Sequence, residues 1–176
     1  MPARIADPAK PLRLFLALWP DDPTREAIAA WQRSWVWPPR ASVVRPERLH
    51  LTLHFLGDVP AREVARLIGA LRMTMAPVVL PLDRGELWPH GIAVLASGRT
   101  PPALARLHAA LGRVIAAFGL PLDEKPFRPH VTLARHAMGA VAPPGGLALA
   151  WRARQGYVLV QSLPAGAGYQ VVERFT

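Results

Sequence analysis

Two segments of this chain repeat one pattern: Leu49-His50-Leu51-Thr52-Leu53 and Pro129-His130-Val131-Thr132-Leu133, with their histidines 80 residues apart. Polar and apolar residues alternate in both. A strand therefore puts each histidine and threonine on one face and the aliphatic residues on the other, whereas a helix would scatter them. A spacing of 80 is too long for a solenoid repeat. Two copies in 176 residues predict a duplicated half folded against its twin, two lobes about an approximate two-fold axis.

The rest of the chain supports two similar units. Apolar Leu12 to Trp19 reads as a buried strand. Pro20-Asp21-Asp22-Pro23 is a turn able to cap a helix that runs to about Trp37 and stops at Pro38-Pro39. A strand at Leu49 to Leu56 precedes a helical stripe from Ala61 to Met75. Strands follow at Val78 to Leu82 and Ile92 to Ala96, then a helix from Pro101-Pro102 to Gly119. Further strands are expected at His130 to Ala134, Leu147 to Arg152, Tyr157 to Gln161 and Gln170 to Arg174, with a mobile Gly/Pro loop over 139–146. No linker separates independent domains, so the expectation is a short flexible leader, 1–11, and a single domain, 12–176.

Composition narrows the chemistry. Without cysteine there are no disulfides, thiolate nucleophiles or Cys-based metal sites, and a reducing cytoplasm is the default compartment. The only lysines are Lys10 and Lys125, the latter directly before Pro126, which argues against a covalent nucleotide adduct; a Gly-x-x-x-x-Gly-Lys loop is also missing. No apolar run reaches a membrane span. The net charge of +9, carried almost wholly by arginine, points toward phosphate-bearing partners. Codon bias is a second source of that skew, since the chain has no Asn and is rich in Ala, Gly and Pro.

Two residues of strand rise place an imidazole and a hydroxyl roughly 6–7 Å apart at Cα, so both can touch one phosphate. If the lobes bring the two motif strands together, the cleft holds two imidazoles, two hydroxyls and nearby arginines. That set suits metal-free phosphoester chemistry, one histidine removing a proton and the other supplying one. A His50–His54 metal pair fails on geometry, because four residues of strand separate them by about 13 Å.

The two His-x-Thr segments resemble the paired motifs of the two-histidine phosphoesterase superfamily. Arg13-Leu14-Phe15-Leu16-Ala17-Leu18, His50 through Gly57, Phe127 through Arg135, and Gln161-Ser162-Leu163 with Gly168-Tyr169 extend the likeness to its RNA 2′,3′-cyclic phosphodiesterases, also called 2′-5′ RNA ligases. The resemblance implies a bilobal α+β fold with two pseudo-symmetric lobes, antiparallel sheets around a central cleft and helices outside. It implies hydrolysis of a terminal 2′,3′-cyclic phosphate on RNA to a 2′-phosphate, without metal or other cofactor. His50 would then be the proton donor to the leaving 3′ oxygen and His130 the acceptor that activates water. Thr52, Thr132 and Arg135 would bind the phosphate, and Phe15, Phe55, Arg128 and Tyr169 would line the cleft. The expected partners are RNA ends, including tRNA fragments or oligonucleotides, with the protein a cytoplasmic monomer. Any 2′-5′ joining would reverse a transesterification, as a side activity. A noncatalytic RNA-binding module and a phosphodiesterase for small cyclic nucleotides are the alternatives.

Strand parity sets two of these residues against the resemblance. Phe55 and Arg135 each stand five residues after their histidine, an odd offset that points away from its face. Parity places Phe55 in the core unless a bulge re-aims it, and lets Arg135 reach the cleft only from a strand end. His54 and His136, at even offsets, read as solvated strand ends, with an extra phosphate or base contact as the functional alternative. His90 and His108 read as structural or exposed, and Trp31, Trp35 and Trp37 as helix packing, with base stacking on RNA the alternative for any exposed copy. Arg40, Arg45 and Arg48 before His50, and Arg128 before His130, could funnel an RNA end toward the cleft or remain solvated loop charges.

Overall fold

The computed structural model describes residues 10–144 and 147–176. Most of the expected leader and residues 145 and 146 of the expected mobile loop lie outside the described residues. Among the described residues, ten strands and three α-helices form an α+β fold of antiparallel sheets.

β1 (Leu12–Leu18) is followed by α1 (Asp22–Arg33), the two-residue β2 (Ser42–Val43), β3 (Leu51–Val59) and α2 (Ala61–Leu71). Then come β4 (Val78–Leu82), β5 (Arg84–Trp88), β6 (Ile92–Ala96), α3 (Pro102–Ala117) and β7 (His130–Arg135). β8 (Leu149–Ala153), β9 (Tyr157–Leu163) and β10 (Gly168–Phe175) complete the chain. The principal sheet runs β10-β9-β1-β3-β7-β6-β5, with β2 paired to β7; β4 and β8 form a separate ribbon.

This sheet has two halves, each a set of antiparallel partners around one motif strand. They meet where Leu51 of β3 pairs with Val131 of β7. β1 alternates imperfectly because both its faces are covered: Leu14, Leu16 and Leu18 enter the main core, while Phe15 and Ala17 pack with Val158 and Val160 on the other side.

The helices cross between the halves. α1, capped by the Asp21 side chain accepting from Thr24 N at 3.0 Å, lies over the half containing β5 and β7. Gln32 Nε2 donates to the Leu133 carbonyl at 2.8 Å, and a Cβ on Gly85 would come within 2.5 Å of the Trp31 ring. α3 lies over β3, its His108 ring stacked on His54 with centroids 3.9 Å apart. α1 and α3 thus each cover the motif strand of the other unit.

Two helix ends fall short of the pattern in the sequence, both for tertiary reasons. α1 stops at Arg33, not Trp37, because Trp35 turns into the core and Val36 bridges to Val141. α2 stops at Leu71, not Met75, where the Tyr157 hydroxyl donates to the Leu71 carbonyl at 2.5 Å and accepts from Met73 N at 3.1 Å. β5 escaped the sequence pattern because Gly85, polar Glu86 and half-buried Trp88 break its alternation. No helix among the described residues is long and apolar enough to cross a membrane.

Candidate active site

The antiparallel pair Leu51–Val131 has a local two-fold axis. Extending its register by one residue each way sets His50 across from Thr132 and Thr52 across from His130, all on the face opposite the core. Diagonal neighbours in such a pair lie on the order of 7–8 Å apart, so His50 and His130 flank a space of phosphate size.

Both imidazoles are oriented by the same local device. His50 Nδ1 donates to the Arg48 carbonyl at 2.7 Å, and His130 Nδ1 donates to the Arg128 carbonyl at 2.6 Å. With Nδ1 engaged, Nε2 of each ring is left to face a ligand. Burial pushes both pKa values below the usual histidine value, opposed by these carbonyls. Positive Arg135 lowers both further, so its guanidinium lies within electrostatic reach of both rings.

Arg135 and Phe55 require a correction to strand parity. In β3, Ala17 pairs with Thr52 but Leu16 with His54, leaving Leu53 as an extra residue; a second slip occurs at Leu56. In β7, Val94 pairs with Thr132 but Ala93 with Ala134, leaving Leu133 extra. These bulges put Leu53-His54 and Leu133-Ala134 inward as consecutive pairs and turn Phe55 and Arg135 outward onto the histidine face. Phe55 is 63% exposed, its ring centroid 6.2 Å from that of Phe15.

The same bulge overturns the solvated reading of His54, which is only 8% exposed. Its ring stacks behind the sheet on His108, which is itself sandwiched between His54 and Phe127, and His54 Nε2 donates to the His108 carbonyl at 2.8 Å. His136 is exposed at φ 53°, directly after β7, and His90 lies in the β5–β6 turn at φ 64°.

The surroundings of the two motif histidines differ. Around His50 stand Phe15 (centroids 5.0 Å apart), Tyr169 (5.3 Å, edge-on) and Trp19 (5.3 Å, 6° from parallel). Beside His130 stands Trp88 at 4.5 Å. Arg128 lies over that indole at 4.7 Å and donates to Glu86 at 2.8 Å, while Glu86 also accepts from Trp88 Nε1 at 2.6 Å. Lobe one therefore presents aromatic surface and lobe two presents charge. Among the described residues no cluster of His, Asp and Glu has metal-binding geometry.

A family model described as the 2′-5′ RNA ligase superfamily matches residues 20–154. The chain belongs to the 2′-5′ RNA ligase superfamily. It is 36% identical over 141 residues to the RNA 2′,3′-cyclic phosphodiesterase of Escherichia coli, an alignment covering 78% of this chain and 80% of that protein. It is 33% identical to the protein of the same description from Thermus thermophilus, over 94% of this chain and 90% of the relative. Among solved structures, E. coli LigT complexed with 3′-AMP superposes with a TM-score of 0.83 at 30% identity, over 94% of this chain and 98% of that one.

Within this superfamily member, sequence reasoning missed Trp19, Glu86 and Trp88. Trp19 had a usable signal: Phe15, Ala17 and Trp19 share one strand face, and Pro20 keeps Trp19 extended. Glu86 and Trp88 had none, because a tertiary strand pairing alone brings β5 to the His130 side.

Proposed function

We propose that this protein is an RNA 2′,3′-cyclic phosphodiesterase that opens a terminal cyclic phosphate to a 2′-phosphate. The observation that carries this reading is the matched pair of imidazoles, each held at Nδ1 by a backbone carbonyl and each free at Nε2 on one face. His130 Nε2 takes a proton from water as the water oxygen bonds to phosphorus. The bond from phosphorus to the 3′ oxygen breaks, and His50 Nε2 delivers its proton to that oxygen. Thr52 and Thr132 donate to the non-bridging oxygens, and Arg135 neutralises the charge that builds on them. Phe15, Phe55 and Tyr169 line the nucleoside side of the cleft, with Arg128 on the opposite rim.

All four motif residues belong to one chain, which supports a monomer working as a single bilobal domain over 12–176. The mechanism calls for no metal or cofactor. With no cysteine to protect, the protein suits the cytoplasm, where RNA ends are processed. Run in the same direction with a 5′-hydroxyl in place of water, the same proton transfers join RNA through a 2′-5′ linkage, the reverse of a transesterification and a side activity.

The test offers an oligonucleotide ending in a 2′,3′-cyclic phosphate, and 2′,3′-cyclic mononucleotides, to the wild type, His50→Ala and His130→Ala in EDTA. The expected result is a 2′-phosphate product from the wild type and a loss of about 10²–10⁴-fold in each variant. Turnover retained in both variants would sink the two-histidine mechanism, and wild-type activity lost in EDTA would sink metal independence. Preference for the mononucleotide would move the substrate to a small molecule. Binding of the oligonucleotide without turnover would make the protein an RNA-binding module.

A further inference from the structure

Trp19 follows β1 directly and continues its cleft-side row after Phe15 and Ala17. Its indole lies 6° from parallel with the His50 imidazole, centroids 5.3 Å apart, and is braced edge-on by Tyr169. Offset-parallel aromatic pairs at this separation attract, and the attraction grows when one ring carries a positive charge, because the indole face is negative.

The His130 side has an indole too, but its use is different. Trp88 is tilted 56° from the His130 ring, and Arg128 already lies over it at 4.7 Å. One tryptophan face supports a catalytic imidazole, while the other supports an arginine. The motif residues obey an approximate two-fold relation; their aromatic neighbours do not.

We propose that Trp19 is a positioning residue for His50: its parallel indole fixes the imidazole plane and supports the ring's positive charge before the proton passes to the leaving oxygen. This rests on the reading of His50 as proton donor, and it supplies a reason for that assignment that the motif symmetry lacks. The groups facing His50 are Phe15 from β1 and Trp19 just after it, the Arg48 carbonyl, Tyr169 from β10, and Arg135 and His130 from β7. Arg135 on β7, and His130 whenever it is protonated, oppose protonation of His50, and among the described residues no carboxylate acts on it. The indole face joins the Arg48 carbonyl, which accepts from Nδ1, in opposing them.

The experiment compares wild type, Trp19→Phe and Trp19→Leu in the full chain. It measures kcat and KM on the cyclic-phosphate oligonucleotide and follows the His50 ring proton by NMR, assigned by its loss in His50→Ala. In Trp19→Leu, kcat is expected to fall about 10-fold with KM within about 3-fold, and the His50 titration to move about 0.5–1 lower in pH. Trp19→Phe, which restores an aromatic face, should recover most of both. An unmoved His50 titration in folded Trp19→Leu overturns the proposal, as does a loss confined to KM, which would make Trp19 a substrate platform. If Trp19→Leu fails to fold, Trp19→Phe is compared with Trp19→Met, and equal His50 titrations in those two overturn it. Because the titration is read without substrate, a wild type inactive on cyclic phosphates would defeat the proposed function while leaving the Trp19–His50 coupling separately measured.

Discussion

Leu51 and Val131 form the antiparallel pair that joins the two halves of the sheet, and both side chains are fully buried. From this pair the polar residues on either side reach the opposite face in a diamond, His50 and Thr132 on one edge, Thr52 and His130 on the other. The joint between the halves is thus also the floor of the candidate site, so the packing that holds them together fixes the spacing of the motif residues.

Symmetry of the diamond predicts that the two threonines matter about equally. Thr52→Val and Thr132→Val should each lower kcat/KM about 10–100-fold, the size of one lost hydrogen bond to a charged oxygen. Steady-state kinetics on the cyclic-phosphate oligonucleotide checks this. A threonine whose replacement costs nothing would not contact the phosphate.

The pH dependence follows from burial. Both His50 and His130 lie below the ordinary histidine value of about 6.5, so the bell of kcat/KM, which reports the free enzyme, should peak on the acid side of neutrality. A maximum at or above pH 8 would contradict this.

Among the described residues Glu86 is the carboxylate that raises the His130 pKa. Glu86→Gln removes that support, so His130 should stay neutral to lower pH and the acid limb of the profile should shift downward. The same change loosens Arg128, whose guanidinium Glu86 accepts from at 2.8 Å. An acid limb that stays in place would assign that limb to another group.

Stability should fall on acidification for a reason outside the candidate site. Burial and neighbouring His54 pull the His108 pKa down to about 4, against about 6.5 in the unfolded chain. The unfolded state therefore binds the proton first, and the contribution of His108, complete above pH 6.5, is lost as pH falls toward 4. The loss is on the order of 2–3 kcal/mol, reduced by partial solvent access. Denaturant melts of wild type and His108→Gln between pH 4 and 7 should show a shallower slope in the variant.

Arginine contacts to phosphate predict a salt effect. Affinity for a single-stranded oligonucleotide should fall linearly on a log–log plot against salt, with a slope of about −0.7 per phosphate neutralised. A flat plot would leave the net charge of +9 as a matter of composition.

The motif pair, its shared strand face and the duplicated architecture were legible because a two-residue period is local: Leu51 and Thr52 declare opposite faces by adjacency alone. The bulges were not, although each left a trace. Phe55-Leu56 and Leu133-Ala134 are adjacent apolar pairs that strict alternation must split, and a slip in phase buries Leu133 with Ala134 while it turns Phe55 out and Leu56 in. Whether a slip occurs depends on partners far along the chain. The extra residue Leu133 keeps its carbonyl satisfied by Gln32 of α1 and by Val44 N, and next to the extra residue Leu53 the His54 ring is bonded to the His108 carbonyl of α3.

By itself the sequence determined which side chains could do the chemistry: two histidines and two threonines at repeated spacing, in a chain without cysteine and almost without lysine. Only the tertiary structure decided what surrounds them. Phe55 and Arg135 reach the histidine face because crossing helices stabilise two bulges, and Trp19 and Glu86 make the two histidines unequal because separate strands bring them alongside. Alternation is a property of neighbouring residues, whereas bulges and electrostatic surroundings depend on contacts between segments up to about a hundred residues apart.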